Sequence, residues 1–202
     1  QLIGELPARE NVALPLLLGW LHPNILTPVH VIFLELLMGP TCSIAYENEP
    51  LEPGSMQRRP RRMALTFLSW TELRTSFAQG LMITAGTLLC YRYGAHHGLG
   101  EDMTRTLVFS TLVVANIALT LVNRSFEHSL LSTIAYRNPL LRGIVLGTAA
   151  LLLALLYAPP LRDFFHLASP SLELLGLSAA VGLLSVLWYE GVKWWKRRSA
   201  AV

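Results

Sequence analysis

The chain has 202 residues, 52% of them hydrophobic and 14% charged, with a mean hydropathy of +0.45, against roughly 25% charged residues in an ordinary soluble domain. So little charge, set between apolar runs long enough to cross a bilayer, excludes a soluble globular domain and leaves a polytopic membrane protein. The net charge of +3 and pI near 9.1 do not argue for nucleic acid: the basic residues fall in short clusters beside apolar segments, where positive-inside topology accounts for them.

Residues 1–23 join "GELPARENV", with Glu5, Arg9 and Glu10, to the apolar "VALPLLLGW", and are expected to be only the end of a span. The chain opens on Gln1 without a signal-peptide pattern and is expected to be a piece of something longer. The first full span is predicted from Ile25 to about Tyr46, "ILTPVHVIFLELLMGPTCSIAY", long enough at about 1.5 Å per residue to cross a core of about 30 Å. Further spans are predicted over Leu73–Tyr93, Thr106–Val122, Leu140–Ala158 and Leu172–Trp195. The fold class is therefore all-α: a polytopic transmembrane helix bundle of five full spans plus the end of a sixth.

Basic residues in the connections set the orientation. The 46–70 loop carries Arg58, Arg59, Arg61 and Arg62, the loop after the third span Arg124, Arg137 and Arg142, and the tail Lys193, Lys196, Arg197 and Arg198. The alternate connections, "GAHHGLGEDMT" and "PPLRDFFHLASPS", are acidic or balanced, so the C-terminus is predicted to be cytoplasmic. Trp188, Trp194 and Trp195 fit an inner aromatic belt. Cys42 and Cys90 lie in apolar runs without CxxC spacing and read as packing residues.

Glu35 stands inside the first span, where a charged side chain costs from about 3 kcal/mol to over 10 and usually faces a protein interior or a pathway. Gly39-Pro40 follows, and Pro40 has no N–H and clashes with the carbonyl of residue 36, so a helix break with free carbonyls is expected beside the carboxylate. Carbonyls and a carboxylate together make a hard-cation site, to which Thr41 and Ser43 would add hydroxyl oxygens. The plainer alternative is a protonated or hydrogen-bonded carboxylate next to a proline kink. His30, about 140° away around a helix, reads as packing. Asn116 in the third span offers either an acceptor oxygen to a cation or an interhelical hydrogen bond, the commoner use. Asn123 reads as a helix-end residue, Gln79, Thr84 and Thr87 as packing contacts, and Gly80 and Gly86 as points of close helix approach.

The stretch "ILTPVHVIFLELLMGPTCSIAYENEPLEPGSMQRRPR" resembles the sixth transmembrane helix and following cytoplasmic loop of P-type cation-transporting ATPases, the calcium-pump branch in particular. The loop signature is carried by "ENEP" with Glu47 and Pro50, then Met56, then Arg59-Pro60-Arg61; "NRSF" and the remaining spans extend the likeness from about Val12 to Arg198. The resemblance implies that the spans correspond to helices five (partial) to ten. It places Glu35 where calcium pumps have an Asn ligand, Met38 and Gly39 where they have Thr and the central Asp, and Asn116 near the eighth-helix Glu. The implied ion-binding residues are Glu35, Asn116, Gly39 and Thr41, with Glu35 and Asn116 as metal ligands. The missing central carboxylate weakens Ca²⁺ as cargo without displacing it, and leaves Mg²⁺, Mn²⁺, Na⁺ and H⁺ open.

The resemblance also implies a division into residues 1–23, a remnant of the fifth helix and an external turn; 24–46, the ion-site helix; 47–72, a cytoplasmic coupling loop packing near the phosphorylation domain or on anionic headgroups; 73–195, a four-helix supporting region; and 196–202, a cytoplasmic tail. The family's D-K-T-G-T, T-G-E-S and G-D-G-x-N-D motifs are not in this sequence, so Mg-ATP belongs only to a parent protein. The expected partners are the lipid bilayer and the remaining domains of the pump, in cis or as a split chain, with no nucleic acid. The expected location is a bacterial inner membrane. The alternatives are a free-standing small membrane protein acting as channel or regulatory subunit, and a membrane enzyme built on His96, His97, Glu101 and Asp102.

Overall fold

The structure is a computed structural model and describes residues 25–47, 70–123 and 139–200, with backbone alone at 38–42, 44–46, 71–72, 196–197 and 199–200. Every element among the described residues is helical: α1 (Pro28–Glu47), α2 (Trp70–His96), α3 (Glu101–Val122), α4 (Pro139–Tyr157), the short α5 (Pro159–Phe164) and α6 (Leu172–Ala200). The expected remnant of a fifth helix at 1–23 and residues 48–69 of the coupling loop lie outside the described residues; of the range 47–72 expected for that loop, Glu47 ends α1 and 70–72 open α2.

The centre of the bundle is α3, which packs against α1, α2, α4 and α6. Its stretch Thr104–Thr111 is buried all the way round, the pattern of a helix enclosed by others. It starts at Glu101 rather than the expected Thr106 because its first turn is polar and tied down, as described below. Two glycines at positive φ, Gly98 (62°) and Gly100 (78°), turn the chain from α2 into α3; glycine alone adopts that backbone freely.

Two kinds of packing surround α3. On one side, α2 and α6 approach through small residues. A Cβ on Gly182 of α6 would stand 2.8 Å from the Thr111 carbonyl oxygen, and one on Gly86 of α2 would stand 3.2 Å from Ser185 Cβ, which is how membrane helices gain close van der Waals contact. Cys90 is buried here, its Sγ 3.2 Å from Thr111 Oγ1, as a packing residue. Gly80, expected to allow similar approach, has open space around it. On the other side, Phe109, Leu152, Leu155, Leu156 and Phe165 form an apolar cluster against which Phe33 and Leu34 of α1 pack.

Three helices are long and apolar enough to cross a membrane by length and composition: α3, α4 and the Leu172–Trp195 part of α6. In α1 the described apolar stretch is Pro28–Leu37. The span expected over Leu73–Tyr93 falls within α2, a helix of 27 residues that is more polar than those three. Three of its polar side chains have hydrogen-bond partners within the protein. Gln79 is buried and bonded to Asn123, and the Thr84 and Thr87 hydroxyls donate to the carbonyls of Gly80 and Thr84 at 2.9 and 2.8 Å.

Candidate ion site

The first turns of α1 fix which face it turns to the bundle. The stripe His30, Phe33, Leu34 and Leu37 is buried or half-buried, whereas Val29, Ile32, Glu35 and Leu36 are exposed. His30 is fully buried, as a packing residue should be: its Nδ1 lies 2.7 Å from Thr27 Oγ1, and its ring meets Phe109 and Phe165 edge-on at 5.4 and 5.6 Å. Glu35, about 140° further round, therefore stands on the face this bundle leaves uncovered. Among the described residues its carboxylate makes no hydrogen bond or ion pair.

The expected helix break is corrected. Helix α1 runs without interruption from Pro28 to Glu47, through Gly39, Pro40 and Thr41. Proline's fixed φ is compatible with a helix, and the loss is confined to one donor: the Leu36 carbonyl has no N–H four residues on, and neighbours tolerate such a gap in membrane helices. The string of freed carbonyls therefore reduces to one oxygen, one residue from Glu35. The side chain of Thr41 lies outside the described residues, Ser43 is exposed, and Glu47 ends the helix exposed. Pro50, Met56, Arg59, Pro60 and Arg61 lie outside the described residues.

Asn116 sits half-buried on α3, in the helix next to α1. The interhelical hydrogen bond that was its commoner expected use is not found: among the described residues its amide has no partner, and only its backbone carbonyl is engaged, accepting from Thr120 Oγ1 at 2.9 Å. The described residues contain no group of three or more His, Cys, Asp or Glu able to hold a metal. Glu35 and Asn116 offer only a few oxygens against the roughly six to eight that Ca²⁺ takes.

Two buried cations went unrecognised in the sequence. Arg105, 5% exposed, donates from Nε to the Ile25 carbonyl at 2.9 Å, from Nη1 to the His166 carbonyl at 2.9 Å and Asp102 Oδ1 at 2.7 Å, and from Nη2 to Glu101 Oε1 at 2.5 Å. His166 holds a positive φ of 47°, and the next turn adds Thr106 Oγ1, which accepts from the Ala168 N–H at 2.8 Å. At the other end Lys193, 3% exposed, donates to the Val122 carbonyl at 2.6 Å and to Glu190 Oε1 at 2.8 Å. It was counted with the basic tail; it is instead a buried residue of α6. The available signals were carboxylates three and four positions before Arg105 and one three positions before Lys193, each on the cation's own helix face. In the connection expected as a membrane enzyme's site, Glu101 and Asp102 are committed to Arg105, and His97 stacks on Tyr93 at 4.1 Å.

An all-helical bundle with membrane-length apolar helices and polar side chains on two neighbouring helices defines an integral membrane protein. Its family is shown by a match to the model for the cation-transporting ATPase C-terminus over residues 23–195, and the chain belongs to that family. It is 25% identical over 191 residues to a calcium-transporting ATPase of Listeria monocytogenes, covering 94% of this chain and 21% of that protein. It is 28% identical over 150 residues to a calcium-transporting ATPase of Bacillus subtilis, covering 71% and 16%, and 26% identical over 180 residues to calcium-transporting ATPase type 2C member 2 of Mus musculus, covering 87% and 19%. The chain thus spans about a fifth of the length of these relatives. The resemblance drawn from the "ENEP" loop signature is borne out.

Proposed function

We propose that this chain is the last part of the transport domain of an ATP-driven cation pump, its helices corresponding to the end of the fifth through the tenth, with Ca²⁺ the leading cargo. In this reading α1 supplies one wall of the ion site through Glu35, α3 supplies the Asn116 oxygen, and the other helices form the supporting bundle. Phosphorylation and nucleotide binding belong to further domains, and the protein lies in a bacterial inner membrane with its C-terminus in the cytoplasm.

The observation that carries the proposal is the uncovered carboxylate. Glu35 projects from the face of α1 opposite the apolar cluster, between exposed Ile32 and Leu36. An ionisable group at membrane depth is too costly to leave to hydrocarbon, so that face calls for further protein and for a positive charge. The Leu36 carbonyl, left without a helical donor by Pro40, gives a second hard oxygen close by.

The test is made on membranes carrying the full-length protein, with phosphoenzyme formation from ATP titrated against Ca²⁺, Mg²⁺, Mn²⁺, Na⁺ and pH. Glu35→Gln is expected to raise the half-saturating cation concentration roughly tenfold or more, since ligand charge sets affinity at such sites, while expression stays near normal. An unaltered ion dependence would remove Glu35 from the site.

A further inference from the structure

We infer that Arg105 is a positioning residue for the ion site: it fixes the entry and rotation of α1 against α3, the two helices that carry Glu35 and Asn116. The inference rests on the function proposed above and adds the device that holds its two walls in register.

Arg105 is an improbable residue for its place. A cation one turn into the helix opposes the positive end of the helix dipole, and burying it removes its hydration. Glu101 and Asp102 in the turn before it offset both costs. A hydroxyl or carboxylate cap would start the helix without any of this. What the guanidinium adds is reach: its fixed fork of donors satisfies two backbone carbonyls outside its own helix, Ile25 three residues before α1 and His166 in the turn after α5. Those two segments and α3 meet at one side chain.

Beyond Ile25 the lock continues into α1. Thr27 and His30 bind each other, His30 lies against Phe109 and Phe165, and Phe33 meets the same two rings at 6.0 and 5.3 Å. Those contacts come from α3 and from the residue next to His166, so the carbonyl clamp and the aromatic seat share one frame. Around Glu35 no described side chain does the same work, because that face of α1 is open. Its rotation is therefore set by the opposite face, His30, Phe33 and Leu34, whose seating begins at the helix entry about 7.5 Å away along the axis. A 20° turn of a helix whose side chains reach about 5–6 Å from the axis moves a carboxylate by about 2 Å. Ca²⁺–oxygen distances vary by only about 0.3 Å.

The experiment titrates phosphoenzyme formation in the full-length protein with the cation that supports it. Arg105→Met and Arg105→Lys are both expected to raise the half-saturating concentration roughly tenfold, as lost outer-shell partners of a metal site do, with maximal phosphorylation per folded protein retained. Lysine keeps the charge but cannot serve both carbonyls, and it carries the test should the methionine variant fail to fold. The control is Lys193→Met combined with Glu190→Gln, which disturbs the opposite end of α3, at the Val122 carbonyl; its half-saturation should stay within about twofold, the scale of a site left undisturbed. Wild-type half-saturation in both Arg105 variants, or an equal shift in the control, overturns the clamp. A second measurement does not depend on pumping: the distance distribution between spin labels at the exposed positions Ser43 on α1 and Leu184 on α6, in a cysteine-free background. It should broaden in the Arg105 variants and not in the control. Were no cation to support phosphorylation in the wild type, the pump proposal would fail, and an unbroadened distribution would then dispose of the clamp separately.

Discussion

The two ends of α3 hold equally buried cations that do different work. At the N-terminal end Arg105 lies against the helix dipole, takes carboxylates whose side chains are 48% and 64% exposed, and spends its other donors on backbone carbonyls of two distant segments. At the C-terminal end Lys193 lies with the dipole and takes the Val122 carbonyl of α3 and a carboxylate, Glu190, that is only 18% exposed. One is a planar fork that joins three parts of the chain; the other is a point charge that closes a helix end. Burial alone would rank them together, whereas the partners left behind when each is removed rank them apart.

The largest expected effect follows from that ranking. Lys193→Met takes the lysine charge from a half-buried carboxylate and the lysine donor from a helix-end carbonyl, a loss of about 3–5 kcal/mol. Arg105→Met releases two carboxylates already in contact with water and orphans two carbonyls, so it should cost less, about 2–3 kcal/mol. Adding Glu190→Gln to Lys193→Met should recover part of the loss, because the half-buried negative charge that faced the lysine is gone. Equilibrium unfolding in mixed detergent micelles measures all three. A larger loss for Arg105→Met than for Lys193→Met would break the comparison.

Between the ends, the comparison sharpens to a single atom. A Cβ at Gly182 meets the Thr111 carbonyl and the Ala115 nitrogen at 2.8 and 3.1 Å, and backbone cannot swing aside. Gly182→Ala should therefore push α6 from α3 and cost about 2 kcal/mol, as overpacking does. Gly80→Ala, in open space, should be neutral or stabilising by up to about 1 kcal/mol from helix propensity. Equal effects at both glycines would mean that the α3–α6 approach is not what holds the bundle.

What the sequence made legible was what periodicity and length control. Apolar runs located α1, α4 and α6 within a few residues, and the loop signature located the family. The break at Gly39-Pro40 was misread because a missing donor was equated with a broken helix, although proline removes one hydrogen bond and its φ fits the helix that continues to Glu47. Polar residues misled in both directions. Gln79 faces Asn123 and lowers the apolar count of α2 while itself buried, whereas the Asn116 amide, offered as a cation ligand or as glue, has no partner among the described residues. Arg105 and Lys193 escaped notice because a charge near a span end is read as topology first, and only three-dimensional contact reveals that Ile25, 80 residues away in sequence, is the acceptor.

The smallest effect expected is at the pair nearest the Lys193 end. Gln79 Nε2 donates to Asn123 Oδ1 at 3.0 Å and Asn123 Nδ2 returns to Gln79 Oε1 at 3.4 Å, so the two amides satisfy each other across α2 and α3. Asn123 is half-buried at the helix end, where water can replace a lost partner. A double-mutant cycle of Gln79→Leu and Asn123→Leu should therefore give a coupling of about 0.6 kcal/mol, the usual worth of an interhelical hydrogen bond in a membrane protein. A coupling well above about 2 kcal/mol would exceed the range of such bonds and mark this end as sealed from water. In that case Lys193 would be closing a dry end, and its removal should cost more than predicted above.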